Sequence, residues 1–344
     1  MWIRAKAPLR ISFGGGGTDV APYCDERGGA VLSATINRHA YATLIPGGDK
    51  IEIKSLDYDA SISYGIDDPF VYDGQLDLAK GVVDHFRKIA NFPEGLRIIL
   101  HNDAPPGSGL GSSSALAVAM IGALAAYAKM PLDSYQVAQK AFDIERVEVG
   151  IIGGKQDQYA SAFGGFNFIE FNKDITLVNQ LRLPDDVISE LEYRLVFAYV
   201  GGKRVYSDIL KKQMDNFKDK KMSAVDAMDN IKKLAFDMKR SLLLGNLVEF
   251  AAALHEGWEN KKMMAEGISN PFIDEIYEAA RSAGAMGGKI TGAGGGGFMF
   301  FICDPFKRHD VQSALSAQGA NLVDLSFTHT GVSAWNAPES KFVP

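Results

Sequence analysis

Cysteine and histidine are scarce: 2 and 6 residues in a chain of 344. Neither Cys24 nor Cys303 has a partner at metal-ligand spacing, and no histidine falls in an HExxH pair. A zinc site built by the chain alone is therefore not expected. Two isolated thiols read as the reduced cysteines of a cytoplasmic protein. The opening residues contain no apolar run of the roughly 7–15 residues that a signal peptide needs. The longest apolar stretch, Ala115 to Ala128, covers 14 residues including Gly122. That is short of the roughly 18–20 that span a bilayer, so a buried helix is expected and no membrane partner. Positive charge is not in excess: 36 Lys and Arg face 42 Asp and Glu, a net −6, which argues against nucleic acid as the main partner. There is no internal repeat, no low-complexity linker and no Gly-Lys-Ser/Thr ending of a Walker loop. What remains, 47% hydrophobic and 23% charged residues, is the composition of a globular enzyme long enough for two domains.

Glycine is abundant, at 36 residues, and it concentrates in three loops. The middle one runs Pro105, Pro106, Gly107, Ser108, Gly109, Leu110, Gly111, Ser112, Ser113, Ser114 and then enters the apolar run. Small residues leading into a helix offer backbone N–H groups and the positive end of the helix dipole to an anion. Glycines let the backbone approach a phosphate closely. Serine hydroxyls there either cap the helix or ligate Mg²⁺ beside a phosphate. Residues 106–114 are accordingly read as a nucleotide-phosphate cradle.

The third loop, Lys289 to Gly297, formally satisfies G-x-G-x-x-G between Gly292 and Gly297. The run Phe298–Phe301 that follows reads as a strand, where a dinucleotide fold needs a helix, so a Rossmann site is rejected. Gly294 and Gly295 are taken instead as substrate-side positions. The first loop holds Arg10, Ser12 and four glycines before Thr18 and Asp19. Asp19 is suited to accept sugar hydroxyls or to close a turn, and Arg10 to serve an anion. Glu145 on a helix and Asp157 after Gly153-Gly154 supply two carboxylates; with the loop serines they make a Mg²⁺ and base constellation, although each alone fits a solvated face or a cap.

The coarse reading is strand-rich early and helix-rich late, which gives α+β rather than alternating βαβ. Strands are expected at 1–13, Ala30–Thr35, Ala40–Ile45, Lys50–Ser55, Leu96–Leu100, Phe166–Phe171, Tyr193–Val200, Phe298–Cys303 and Leu322–Thr328, with one more before the third loop. Helices are expected at Leu78–Ala90 and Ser112–Met130, and from Asp133, capped with Gln136, to about Val149. Four more fall between Tyr206 and Ala283, the last opened by Pro271, and a short one at His309–Gln318. The weakest composition break, Asn172 to Asp186, divides the chain into 1–180 and 181–344.

Taken together and in order, the three loops resemble those of the GHMP kinase family. The middle loop matches its Pro-x-x-x-Gly-Leu-Gly-Ser-Ser motif and the last loop its Thr-Gly-Ala-Gly-Gly-Gly-Gly motif. The resemblance implies an S5-like N-terminal domain, a ferredoxin-like C-terminal domain, and ATP with Mg²⁺ bound between them. It makes Asp157 the catalytic aspartate, with Arg10 beside the reacting hydroxyl, Glu145 the Mg²⁺ carboxylate, Ser113 the favoured serine ligand, and Asp19 a sugar-binding residue. Galactokinases carry a glutamate and a histidine where this chain has Gly16 and Gly17, a departure that weighs against galactose. The stretch Gly16-Gly17-Thr18-Asp19 and the Gly153–Tyr159 segment look most like those of the family's D-glycero-D-manno-heptose 7-phosphate kinases. The implied reaction is transfer of the ATP γ-phosphoryl group to the anomeric hydroxyl, giving the 1,7-bisphosphate. A fucose- or galactose-type 1-kinase and a non-catalytic sugar and ATP sensor are the alternatives; a decarboxylase of the same fold fits the Gly-Thr-Asp segment less well. Lys155, Lys203 and Arg204 are candidates for the substrate's own phosphate. The expected partner is a small sugar phosphate, and the expected assembly a monomer or homodimer.

Overall fold

A computed structural model describes residues 1–90, 92–201 and 206–338. The first part of the chain forms β1 (Trp2–Gly14), α1 (Tyr23–Arg27), β2 (Gly29–Pro46), β3 (Lys50–Ser55), β4 (Ala60–Gly65), α2 (Asp77–Ile89), β5 (Leu96–Asn102), α3 (Ser112–Tyr127), α4 (Ser134–Phe142), α5 (Gln156–Phe163), β6 (Phe166–Phe171) and β7 (Thr176–Gln180). The second part forms α6 (Asp185–Arg194), β8 (Leu195–Gly201), α7 (Tyr206–Lys218), α8 (Met222–Leu243), α9 (Leu247–Met264), α10 (Pro271–Ser282), β9 (Ala285–Ile290), β10 (Gly297–Cys303), α11 (Arg308–Ala317), β11 (Asn321–Leu322) and β12 (Ser333–Ala337).

The first sheet runs β12-β1-β2-β5-β3-β4, with β6 and β7 added on β2. In β1 every second residue from Ile3 to Phe13 is buried, as a period of two requires of a core-facing strand. The even-numbered residues change from exposed Arg4 to buried Arg10 and Ser12, which places polar groups under cover at the strand's end. Helix α3 is apolar all round, and it packs on β1, β2, α2, α4 and α5. The expected stop at Met130 comes earlier, at Tyr127, and a capping box of Asp133 and Gln136 opens α4 as read.

The second sheet has the order β11-β8-β10-β9, with every neighbouring pair antiparallel. In chain order this is 4-1-3-2 within a βαββαβ succession, the ferredoxin-like arrangement, its first crossover enlarged to four helices. The α+β class stands. Phe13 joins the two halves, its ring lying 5.2 Å from Phe250 on α9 and 5.7 Å from Phe300 on β10. No helix among the described residues is long and apolar enough to cross a membrane.

Further expectations change. The strand read from Tyr193 starts at Leu195, because α6 takes Tyr193 and Arg194. The strands read at 30–35 and 40–45 are one strand of 18 residues, β2, whose polar Asn37 is merely exposed. The helix read to Val149 gives way after Phe142 to a wide π-helical turn, Asp143–Glu148. The strand read at 322–328 ends at Leu322, because its alternating apolar residues serve two sheets: Val323 N–H donates to Phe197 O at 2.9 Å, while Phe327 bridges to Ile36 and packs on Phe166. The stretch 172–186 carries β7, the chain crosses to the second sheet in β8, and β12 returns to pair antiparallel with β1.

Candidate active site

The glycine loops converge on one cavity of about 230 Å³. The middle loop forms one wall. Ala115 N–H donates to Gly111 O at 2.9 Å, the first bond of α3, so the N–H groups of Ser112 to Ser114 precede the helical ladder and lie at its positive end. No side chain caps this terminus. Gly111 has φ +74, and a Cβ there would lie 3.2 Å from Asp157 Cγ. Both the left-handed backbone and the closeness of Asp157 require glycine.

Asp157 stands on the first turn of α5 and pairs with Arg10 from β1. Arg10 Nε donates to Asp157 Oδ1 at 2.8 Å, Nη2 pairs with the same oxygen, and Nη1 donates to Gly109 O at 2.7 Å. The guanidinium thus ties the carboxylate to the phosphate loop. Its own side chain is only 3% exposed, against 20% for Asp157.

Glu145 is not on a solvated face: it is buried, carried inward by the π-helical turn. Ser113 Oγ donates to its Oε1 at 3.1 Å, and Ser114 Oγ and Gln158 Nε2 each donate to Oε2 at 2.7 Å. Arg146 Nη1 lies 3.2 Å from Oε1. Among the described residues, no cluster of three or more His, Cys, Asp and Glu groups stands ready for a metal. A carboxylate beside a serine hydroxyl and a phosphate cradle does fit Mg²⁺, which takes one or two carboxylates and completes its shell with water and phosphate oxygens.

The first loop is braced rather than open. Asp19 is buried; its Oδ1 accepts from Gly17 N–H and Gln156 Nε2 at 3.0 Å each, and its Oδ2 from Gln156 N–H at 3.0 Å. These bonds use three of roughly four acceptor positions, leaving one for a sugar hydroxyl. Gly154 permits the approach, since a Cβ there would sit 2.0 Å from Asp19 Oδ2.

Of the residues singled out from the sequence, Arg10, Gly17, Asp19, Gly107, Gly109, Gly111, Ser112, Ser113, Ser114, Glu145 and Asp157 line the cavity. Others do not. Thr18 is fully buried, and its hydroxyl bonds Gly15 O and the Ala30 backbone, so it fastens the loop instead of meeting a ligand. Leu110 belongs to the core, Pro106 is exposed outside the cavity lining, and Ser108 is buried, its O accepting from Thr291 Oγ1. Lys155 turns to the Phe142 ring, 5.4 Å away. A Cβ on Gly294 would meet Ile268 and one on Gly295 would meet Ile209, whereas Gly292 and Ala293 reach the cavity. Gly16 borders a smaller void behind the first loop. Lys203 and Arg204 lie outside the described residues.

Residues not singled out also line the cavity: Arg146, Gln156, Gln213 and Lys261. Gln213 Nε2 donates to Gly17 O at 2.9 Å, and Lys261 Nζ to Gly292 O at 2.9 Å. Lys261 was detectable, because it falls in the buried stripe Leu247, Ala251, Leu254, Trp258 of α9, where a lysine is out of place.

Residues 77–165 match the GHMP kinases N terminal domain and residues 238–321 the GHMP kinases C terminal domain. The chain is 40% identical over 336 residues to D-glycero-alpha-D-manno-heptose 7-phosphate kinase of Campylobacter jejuni, covering 97% of this chain and 98% of that protein. It is 26% identical to L-fucokinase/L-fucose-1-P guanylyltransferase of Bacteroides fragilis, over 93% of this chain and 36% of that protein. A crystal structure of a D-glycero-D-manno-heptose 1-phosphate kinase from Bacteroides thetaiotaomicron superposes with a TM-score of 0.82 at 36% identity, covering 98% of this chain and 100% of the other.

Proposed function

We propose, from the premise that this chain belongs to the GHMP kinase family, that it transfers the γ-phosphoryl group of ATP to the anomeric hydroxyl of D-glycero-D-manno-heptose 7-phosphate, giving the 1,7-bisphosphate. The observation that carries the reading is the Arg10–Asp157 pair, held at the junction of the phosphate cradle and the first glycine loop. The name of the 40% identical relative supports the substrate.

In this reading the N–H groups at the start of α3 hold the nucleotide phosphates. Glu145 and Ser113 would hold Mg²⁺, which when bound offsets charge between the β- and γ-phosphates. Both Arg10 bonds fall on Asp157 Oδ1, so Oδ2 is the oxygen that receives or orients the hydroxyl proton. The sugar oxygen then bonds to the γ-phosphorus as the bond to the β-phosphate oxygen breaks, leaving ADP. Arg10 steadies the carboxylate and the transferring group. Phosphoryl transfer is mostly positioning and electrostatics, so this sparse set of groups suffices. Asp19 offers its remaining acceptor position to a sugar hydroxyl, and Lys203 and Arg204 stay candidates for the far end of the substrate.

The test is ADP release with ATP and Mg²⁺ against a panel, with ³¹P NMR on the products. The panel holds heptose 7-phosphate, heptose 1-phosphate, mannose 6-phosphate, mannose, fucose, galactose and mevalonate. An anomeric phosphate formed from the 7-phosphate alone is expected. Turnover of the 1-phosphate alone would reverse the two ends of the substrate. Turnover of fucose or galactose alone would move the protein to a sugar 1-kinase acting on free sugars, and silence with ATP still bound would leave a sensor.

A further inference from the structure

Gly16 has no backbone need to be glycine: its φ lies outside the left-handed region. What its missing side chain leaves is a hollow with three polar walls. A Cβ built there would lie 3.3 Å from Ser12 Oγ, 3.6 Å from Lys261 Nζ and 3.8 Å from Gln156 Nε2. Lys261 and Gln156 also line the main cavity, so two of the three walls are shared with it, while Gly16 itself borders the smaller void behind the first loop. Ser12 is 95% buried by its 5% exposure, and its hydroxyl has no hydrogen-bond partner. A buried hydroxyl left unsatisfied costs stability, and such a group calls for an explanation.

Charges of both signs surround the hollow: the Lys261 amine is one wall, and the Asp19 carboxylate accepts from Gln156 Nε2 at 3.0 Å. Lys289 lies under the first loop, lining with Lys261 and Gly16 a void of about 10 Å³. Its amine is pushed well below the usual lysine range, first by burial and then by the charges of Lys261 and Arg10. An anion nearby relieves that repulsion, whereas a neutral sugar hydroxyl does not.

The hollow and the Arg10–Asp157 pair are also carried by the same strand. Arg10 and Ser12 are two residues apart on β1, in a stretch of regular pairing with β2. Their side chains share a face about 7 Å apart along the strand. We propose that the Gly16 hollow, walled by Ser12, Lys261 and Gln156, seats the substrate's own phosphate while Arg10 and Asp157 handle the anomeric hydroxyl at the other end. The inference rests on the heptose-phosphate reading and adds the residues that would make the enzyme choose a phosphomonoester over the free sugar.

Two variants test it, by calorimetric binding of heptose 7-phosphate and of a non-hydrolysable ATP analogue, with the thermal midpoint as a fold control. Ser12→Ala removes an unpartnered hydroxyl without changing the shape of the strand. A merely structural Ser12 predicts an equal or higher midpoint and no change in either affinity. The phosphate seat predicts that same midpoint together with roughly tenfold weaker 7-phosphate binding, the worth of one hydrogen bond to a charged group, and unchanged analogue binding. Gly16→Ala, which the backbone accepts, puts a methyl group in contact with all three walls, most tightly with Ser12 Oγ, and is expected to weaken the 7-phosphate at least as much. Unchanged 7-phosphate affinity in both variants would overturn the seat and leave the reaction standing. A wild-type protein that binds the analogue but no heptose 7-phosphate would overturn the substrate reading itself, and the seat with it.

Discussion

At Asp157 one carboxylate meets three demands: a guanidinium on Oδ1, a glycine pressed against its Cγ, and a cavity in front. Asparagine keeps the size and one acceptor oxygen but cannot take a proton and loses the ion pair with Arg10. Asp157→Asn is therefore expected to fold and bind ATP within about twofold of wild type while kcat falls by roughly 10²–10⁴. Single-turnover rates with saturating ATP check this, and a near-wild-type rate would remove Asp157 from the chemistry. Read alone, Asp157 and Glu145 each fitted a cap or a solvated helix face; it was the glycine turn before Asp157, the loop serines and the family resemblance that singled them out. At Thr18 such context misled. Sequence position put it beside Asp19, and only the fold shows its hydroxyl spent on Gly15 and Ala30. Lys261 escaped because its partners, the first and third loops, lie far from it in sequence.

Elements whose signals are local came through best. The capping box is an example: Asp133 Oδ1 accepts from Gln136 N–H at 2.8 Å and Gln136 Oε1 from Asp133 N–H at 3.0 Å. Asp133→Ala removes the first of these and is expected to cost about 1 kcal/mol, read as a lower urea midpoint. Because the cap lies at the far end of α4 from Glu145, kcat should hold. A large loss of activity would mean that the helix start positions the π-helical turn. That turn had no local signal, since Asp143–Glu148 has the composition of ordinary helix; it widens where Glu145 must reach Ser113 and Ser114 while Arg146 stays beside it. The lengths of β2 and β11 were hidden likewise, being set by which sheet edges were available and not by the alternation of their residues.

For the whole molecule, topology decides whether the two halves open together. The chain finishes its second sheet and then returns with β12 to the edge of the first, beside β1, a closure no composition break announced. Phe13 and the β12 return tie the cores, and each core holds one buried thiol: Cys24 with the first cluster, Cys303 with the second. Burial pushes both thiols up to about 12. Unfolded thiols titrate near 8.5, so the folded state favours the protonated form. The sign follows: this contribution to stability is complete below about pH 8.5 and is lost as pH rises toward 12. At pH 8 neither thiol should react with a disulfide reagent until its core opens. If the interlocked halves open as one unit, both thiols label at one rate, ATP slows the two equally, and raising the pH from 8 to 10 lowers the urea midpoint. A faster Cys303 with Cys24 still protected would show that the second sheet opens alone, and that neither Phe13 nor β12 couples the halves.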